Sequence, residues 1–172
     1  HMTQKRIGLV LLSGGLDSTT AAAWAIANGM TVSAISFDYG QTHRRELAAA
    51  TAVAKRLRLA HNTVDVSFYR DLAAHSALTN PNKIPMPTER DTSEMADDIP
   101  STYVPLRNTF FLTMGAAWLE SAALRAIEQD RIDPGKLEAT LVIAANAIDY
   151  SGYPDCRPEY YETIAESLRL GS

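Results

Sequence analysis

Apolar and polar positions along this chain fall into blocks whose period changes several times. Residues 7–12 are a short, almost wholly apolar run, the pattern of a strand buried on both faces of a parallel sheet. Residues 18–28 read as an alanine-rich helix, with Gly29 where a helix end favours a left-handed residue. A second β-rich run covers 31–37. Residues 44–59 form a helix, basic on one side and alanine-rich on the other, and 61–66 alternate as a third strand. This order predicts right-handed crossovers and an α/β fold, a doubly wound parallel sheet with helices on both faces.

The middle of the chain breaks the pattern. Residues 78–102 hold Pro81, Pro85, Pro87 and Pro100, with Pro105 just beyond, among polar residues and few apolar anchors. Such a stretch predicts a long loop or lid. A long helix follows over 108–127, mildly interrupted by Gly115, and Asp133-Pro134-Gly135 ends it. Residues 139–145 make a fourth apolar strand and 158–170 an amphipathic helix. No internal repeat or low-complexity tract divides the chain. A single domain over 1–172 is expected, with His1 and Met2 as a cloning remnant.

Composition narrows the classes of function. The net charge of −4 over 172 residues argues against a general nucleic-acid binder, which favours a basic surface. The one cysteine, Cys156, excludes an internal disulfide and a multi-cysteine metal site built from this chain. It reads either as a nucleophile or as a buried structural thiol, the more frequent case. No run of about 20 apolar residues stands out as a membrane span, and a cytoplasmic protein is expected.

The densest chemistry lies between the first strand and the first helix, at Ser13-Gly14-Gly15-Leu16-Asp17-Ser18. Free N–H groups at a helix N-terminus, below a strand's carboxyl end, favour an anion. Gly14 and Gly15 permit positive φ and close approach of phosphate oxygens, and Ser13 and Ser18 add hydroxyl donors. No Gly-Lys-Ser/Thr follows, so this is not a Walker A loop, nor is it a G-x-G-x-x-G turn. Asp17 would repel a phosphate unless a cation stood between them, which points to Mg²⁺.

SGGLDS resembles the pyrophosphate loop of the PP-loop ATPases. Three further stretches, SFDYGQTHRREL (36–47), YVPLRNTFFL (103–112) and ANAIDYSGYPDCRPEYYE (145–162), together resemble the 7-cyano-7-deazaguanine synthase family over nearly the whole chain. The resemblance implies an adenine nucleotide α-hydrolase-like, Rossmann-like fold. It also implies an AMP-forming carbon–nitrogen ligase, using Mg-ATP and ammonia to convert 7-carboxy-7-deazaguanine to the nitrile preQ0 of queuosine synthesis. The partners implied are small molecules, with no direct contact to nucleic acid or membrane. Family members usually continue into a four-cysteine zinc site that this chain does not carry. The alternatives are a truncated or split nucleotide-binding portion needing another segment, or a different PP-loop ligase acting on tRNA; the expected assemblies are a homodimer or a C-terminal segment supplied in trans.

Carried onto this sequence, the resemblance and the local chemistry give a residue set. Leu12, Ser13, Gly14, Gly15, Leu16, Asp17 and Ser18, with Phe37, Asp38, Tyr39 and Arg107, are expected to hold the nucleotide. Phe37-Asp38-Tyr39 ends a strand at its carboxyl edge, where open α/β sheets bind ligands; Arg44 and Arg45 beyond it read equally as surface charges. Arg107 offers a planar fork for phosphate. Asp17, Ser18 and Arg107 are the catalytic candidates. Asn108, Asn146, Asp149, Tyr150, Ser151, Tyr153 and Asp155 are expected to read the deazaguanine, by aromatic stacking and by accepting from its amino and ring N–H edge. Asn108 reads also as a plain cap for the helix that follows Pro105.

Overall fold

Strand β1 (Lys5–Leu11) carries the strands of the sheet on either side of it. The computed structural model describes residues 4–38, 44–72, 104–145 and 153–172. The expectations for Tyr39, Asn146, Asp149, Tyr150, Ser151 and the Pro-rich stretch 78–102 lie outside these residues. The elements in order are β1, α1 (Leu16–Ala27), β2 (Thr31–Asp38), α2 (Arg44–Leu57), β3 (Ala60–Asp65), the short α3 (Tyr69–Leu72), α4 (Arg107–Glu128), β4 (Leu137–Val142) and α5 (Pro158–Gly171). The strands form one parallel sheet in the order β3-β2-β1-β4. β1 pairs Gly8 with Val32 on one side and with Thr140 on the other.

This order winds the chain outward from β1 in both directions, so the sequence reverses beside β1. In open α/β sheets the crevice at such a reversal, off the carboxyl ends of the strands, is where ligands bind. The loop Ser13–Ser18 leaves β1 at that end.

Side chains alternate across the sheet, and the register fixes which helices meet which face. Val10, Val32 and Val142 share one face, and Ala22 and Ala25 of α1 pack on them. Leu12 and Ala34 lie on the same face and receive Ala50 and Ala54 of α2. Alanine at these positions lets both helices seat close to the strands. The opposite face meets α4: a methyl group at Gly115 would lie 3.0 Å from Leu141 and 3.2 Å from Leu11, and Phe111 stacks on Phe37 with ring centroids 4.3 Å apart. Helices therefore cover both faces, as the strand and helix blocks predict.

Element ends depart from the sequence reading where the backbone turns left-handed. Gly29 has φ +78, as expected of a helix end, but Arg58 adopts φ +57 and stops α2 at Leu57. Leu59 N–H then closes the helix end on Ala54 C=O at 2.9 Å. Helix α4 corrects a second expectation. At 22 residues it is long and apolar enough to cross a membrane by length and composition, yet Leu112, Gly115, Leu119 and Ala126 form its buried stripe.

The chain divides into two compact units. One comprises His1–Phe37, Arg45–Val64 and Phe111–Ala144, and the other Asp38–Arg44, Asp65–Phe110 and Ala145–Ser172. The first holds the sheet, α1, α2 and most of α4. In the second, Tyr69 stacks on Phe110 at 4.7 Å beside the buried Val104, and the Tyr69 hydroxyl donates to Pro105 C=O.

Candidate functional site

The expected residues fall into two clusters, one in each unit. In the first unit, β1 ends with Leu12 and the chain turns sharply. Gly14 takes φ +83, and a Cβ there would lie 2.4 Å from the Ala50 nitrogen and 2.7 Å from the Ala49 carbonyl carbon of α2. Only glycine satisfies both the backbone angle and the backbone-to-backbone approach. The glycine of the motif thus fits the loop against a neighbouring helix as well as permitting a turn.

Four hydrogen bonds close the loop on itself. Ser18 Oγ donates to Gly15 C=O at 3.2 Å and accepts from Ser13 N–H at 3.2 Å. The Ser13 and Ser18 hydroxyls lie 3.0 Å apart, and Gly15 N–H donates to Ser13 Oγ at 3.3 Å. Ser18 is buried and braces the loop from within, whereas Ser13, Gly15, Leu16 and Asp17 are exposed. Gly15 is the N-cap of α1 with no side chain capping the helix, so the N–H groups of Leu16, Asp17 and Ser18 lack intrahelical acceptors. The helix start, its positive dipole end and the Ser13 hydroxyl together fit an oxyanion such as a phosphate. Asp17 places an exposed carboxylate in that first turn, where a magnesium ion shared with phosphate oxygens needs only one or two protein carboxylates.

Leu12 is buried, so its contribution to the loop is its backbone. Its N–H donates to Ile35 C=O at 2.8 Å, and its C=O accepts from the Ser36 hydroxyl at 2.6 Å. His61 Nε2 lies 2.8 Å from the same hydroxyl. Burial holds the His61 imidazole below its usual range, favouring the neutral ring. Sequence reading did not single out Ser36 or His61; the signal was a serine inside the apolar run of β2. Phe37 directs its ring into the packing against Phe111, leaving only its backbone at the edge where Asp38 ends β2.

The second unit holds Arg107, Asn108, Tyr153 and Asp155. Arg107 N–H donates to Val104 C=O at 3.1 Å, closing a tight turn with Pro105 second and Leu106 third. Leu106 has φ +54, at a position that glycine or asparagine usually fills, which costs about 1–2 kcal/mol. Backbone strain thus stands directly before Arg107, the half-buried first residue of α4. The cap expected from Asn108 comes instead from Asp155: its buried carboxylate accepts from Asn108 N–H at 2.8 Å. The Asn108 side chain donates, to Asp155 C=O at 3.2 Å and Cys156 Sγ at 2.9 Å, with Tyr161 Oη at 3.4 Å. Burial, the adjoining Cys156 and the Asp155 carboxylate push the Tyr161 phenol up, against a smaller opposing effect of Arg107. Cys156 is buried, matching the structural alternative for that thiol. Among the described residues no three His, Cys, Asp or Glu side chains stand together as a metal-binding group, so zinc finds no ligand set there.

Comparison with known proteins agrees with this architecture. The family model described as queuosine biosynthesis protein QueC matches residues 7–172. A 7-cyano-7-deazaguanine synthase of Thermoplasma acidophilum is 43% identical over 98% of this chain and 63% of its own length. The protein of that name in Trichormus variabilis is 46% identical over 95% of this chain and 65% of its own. The chain thus spans somewhat under two thirds of the length of these relatives. A crystal structure described as a predicted subunit of a tRNA methyltransferase from Methanocaldococcus jannaschii superposes with a TM-score of 0.50 at 16% identity, over 95% of this chain and 64% of that one. This likeness speaks to the fold alone.

Proposed function

The chain belongs to the queuosine biosynthesis protein QueC family, and we propose that it carries the ATP-dependent activation step of a 7-cyano-7-deazaguanine synthase. The observation that carries the reading is the uncapped N-terminus of α1 behind Gly14 at φ +83. It supports a cradle for the pyrophosphate portion of ATP. The backbone N–H groups of Leu16, Asp17 and Ser18 and the Ser13 hydroxyl hold the phosphate oxygens in place. Asp17 would hold Mg²⁺, which when bound offsets phosphate charge.

In this reading the substrate carboxylate attacks the α-phosphorus of ATP, forming an acyl-adenylate and releasing pyrophosphate. Ammonia attacks the acyl carbon, AMP leaves, and the amide forms after loss of a proton. A second ATP adenylates the amide oxygen, releasing a second pyrophosphate and one N–H proton, and loss of AMP with the remaining N–H proton leaves the nitrile. The chain acts by orientation and by electrostatic stabilisation of charge on phosphorus, with the Arg107 fork contacting a phosphate or the acyl-adenylate. Of the base-reading set, Tyr153 stacks on the deazaguanine with Tyr150, and Asn146, Asp149 and Ser151 accept or donate at its edge. Asn108 and Asp155, hydrogen-bonded to each other, complete the set that reads the base.

The test is turnover of the chain with Mg-ATP, ammonium and 7-carboxy-7-deazaguanine, followed by mass spectrometry. The expected products are AMP, pyrophosphate and the nitrile. Binding of ATP without any AMP formation would reduce the chain to a nucleotide-binding portion; absence of ATP binding would overturn the reading of the loop.

A further inference from the structure

We propose that Ser36 and His61 are positioning residues that set the orientation of the loop Ser13–Ser18 through a single peptide plane. The inference rests on the reading of that loop as the phosphate site. The carbonyl of Leu12 and the N–H of Ser13 belong to one planar unit and cannot rotate independently. Ser36 Oγ donates to the carbonyl end at 2.6 Å. Ser18 Oγ accepts from the N–H end at 3.2 Å and itself donates to Gly15 C=O at 3.2 Å. The plane is therefore held at both edges, from the sheet on one side and from the loop on the other.

The proton inventory orders the relay. Ser36 has one hydroxyl proton, and the shorter of its two bonds gives it to Leu12 C=O. His61 Nε2 then carries its own proton and donates to Ser36 Oγ. The direction runs from His61 on β3, through Ser36 on β2, to the carboxyl end of β1, then through Ser18 to Gly15 at the start of α1. Ser36 is 3% exposed in a strand whose neighbours Ala34, Ile35 and Phe37 are buried and apolar. An apolar residue at 36 would suit the sheet as well, but would leave Leu12 C=O without this donor. Loss of that bond frees the peptide to tilt, and with it the N–H groups that receive the phosphates.

The test compares Ser36→Ala, Ser36→Thr, His61→Gln and His61→Phe, reading Mg-ATP affinity by calorimetry beside the urea midpoint. Ser36→Ala is expected to weaken ATP binding roughly five- to tenfold, the scale of one neutral hydrogen bond. Ser36→Thr, which restores the hydroxyl, should return most of the affinity, a rescue that general loss of stability does not produce. His61→Gln, which keeps a side-chain N–H, should bind more tightly than His61→Phe. Wild-type affinity in Ser36→Ala, or no rescue in Ser36→Thr, overturns the inference. Should Ser36→Ala not fold, His61→Phe decides: a loss of roughly twofold or more supports the relay, and unchanged affinity refutes it. Absence of ATP binding by the unaltered chain is a distinct result that removes the loop reading and this inference with it.

Discussion

Gly14 and Gly29 provide a matched pair for measuring what the phosphate loop demands of its backbone. Both are left-handed, at φ +83 and φ +78. A Cβ at Gly29 meets nothing within 4 Å, whereas at Gly14 it would lie 2.4 Å from the Ala50 nitrogen and 2.8 Å from the Ala49 Cβ. Gly29→Ala therefore carries only the conformational cost, about 1–2 kcal/mol. Gly14→Ala adds overlap with the backbone of α2, which cannot rotate away as a side-chain tip can, at a further cost of about 1–3 kcal/mol. The gain from a stiffer unfolded chain is common to both substitutions and cancels in the comparison. Urea unfolding gives the answer as the difference in midpoint at unchanged slope. Gly14→Ala is expected to be the less stable of the two by about 1–3 kcal/mol, and to lose ATP binding that Gly29→Ala keeps. Equal costs within about 0.5 kcal/mol would refute the close seating of the loop on α2, since that is the spread expected of surface changes.

Other consequences follow from single groups. Asp17→Ala is expected to abolish AMP formation while shifting the unfolding midpoint by no more than about 0.5 kcal/mol, because Asp17 is exposed; retained turnover refutes its role. Asp155→Ala removes a buried acceptor from Asn108 N–H and should destabilise by about 1–3 kcal/mol, with Asp155→Asn milder in the same urea assay. The imidazole of His61 is depressed by burial, so folding favours its neutral form. That contribution is complete above the ordinary value near 6.5 and is lost as pH falls through the lower folded value. His61→Gln should correspondingly flatten the dependence of the urea midpoint on pH below 6.5. Cys156 is buried, and a chromogenic thiol reagent should modify it only as the protein unfolds; immediate reaction in native buffer refutes that placement.

The sheet was legible because each strand and helix announces its own period. Residues 7–12 needed no partner to read as a buried strand, and the alanines of 44–59 marked the face that α2 turns to Leu12 and Ala34. Gly14 was legible as a loop residue, though not as the point of contact with α2, since that partner lies 35 residues away in sequence. Asn108 misled for a related reason. Its type and place after Pro105 fit a local cap, but the acceptor is supplied by Asp155 from across the chain, and no local pattern encodes such a pairing. Phe37 was legible as the carboxyl edge of β2, but not the setting of its ring, which the alternation of the strand sends to Phe111 on the far face from α1. Ser36 and His61 were silent because a polar residue in an apolar strand shows its purpose only when its partners are known.

The carboxylate that caps α4 has a consequence for the order of events in synthesis and folding. Asn108 and Asp155 are separated by 47 residues, so the whole of α4 and β4 has been synthesised before the acceptor for the first turn of α4 exists. Until then that turn has a left-handed Leu106 before it and no carboxylate to offset the strain. The body of the helix, with Gly115 seated on the sheet, is free to form earlier. Arg107 would accordingly reach its final setting among the last residues to do so, and a released chain ending before Asp155 would carry all four strands of the sheet but lack the acceptor for the start of α4.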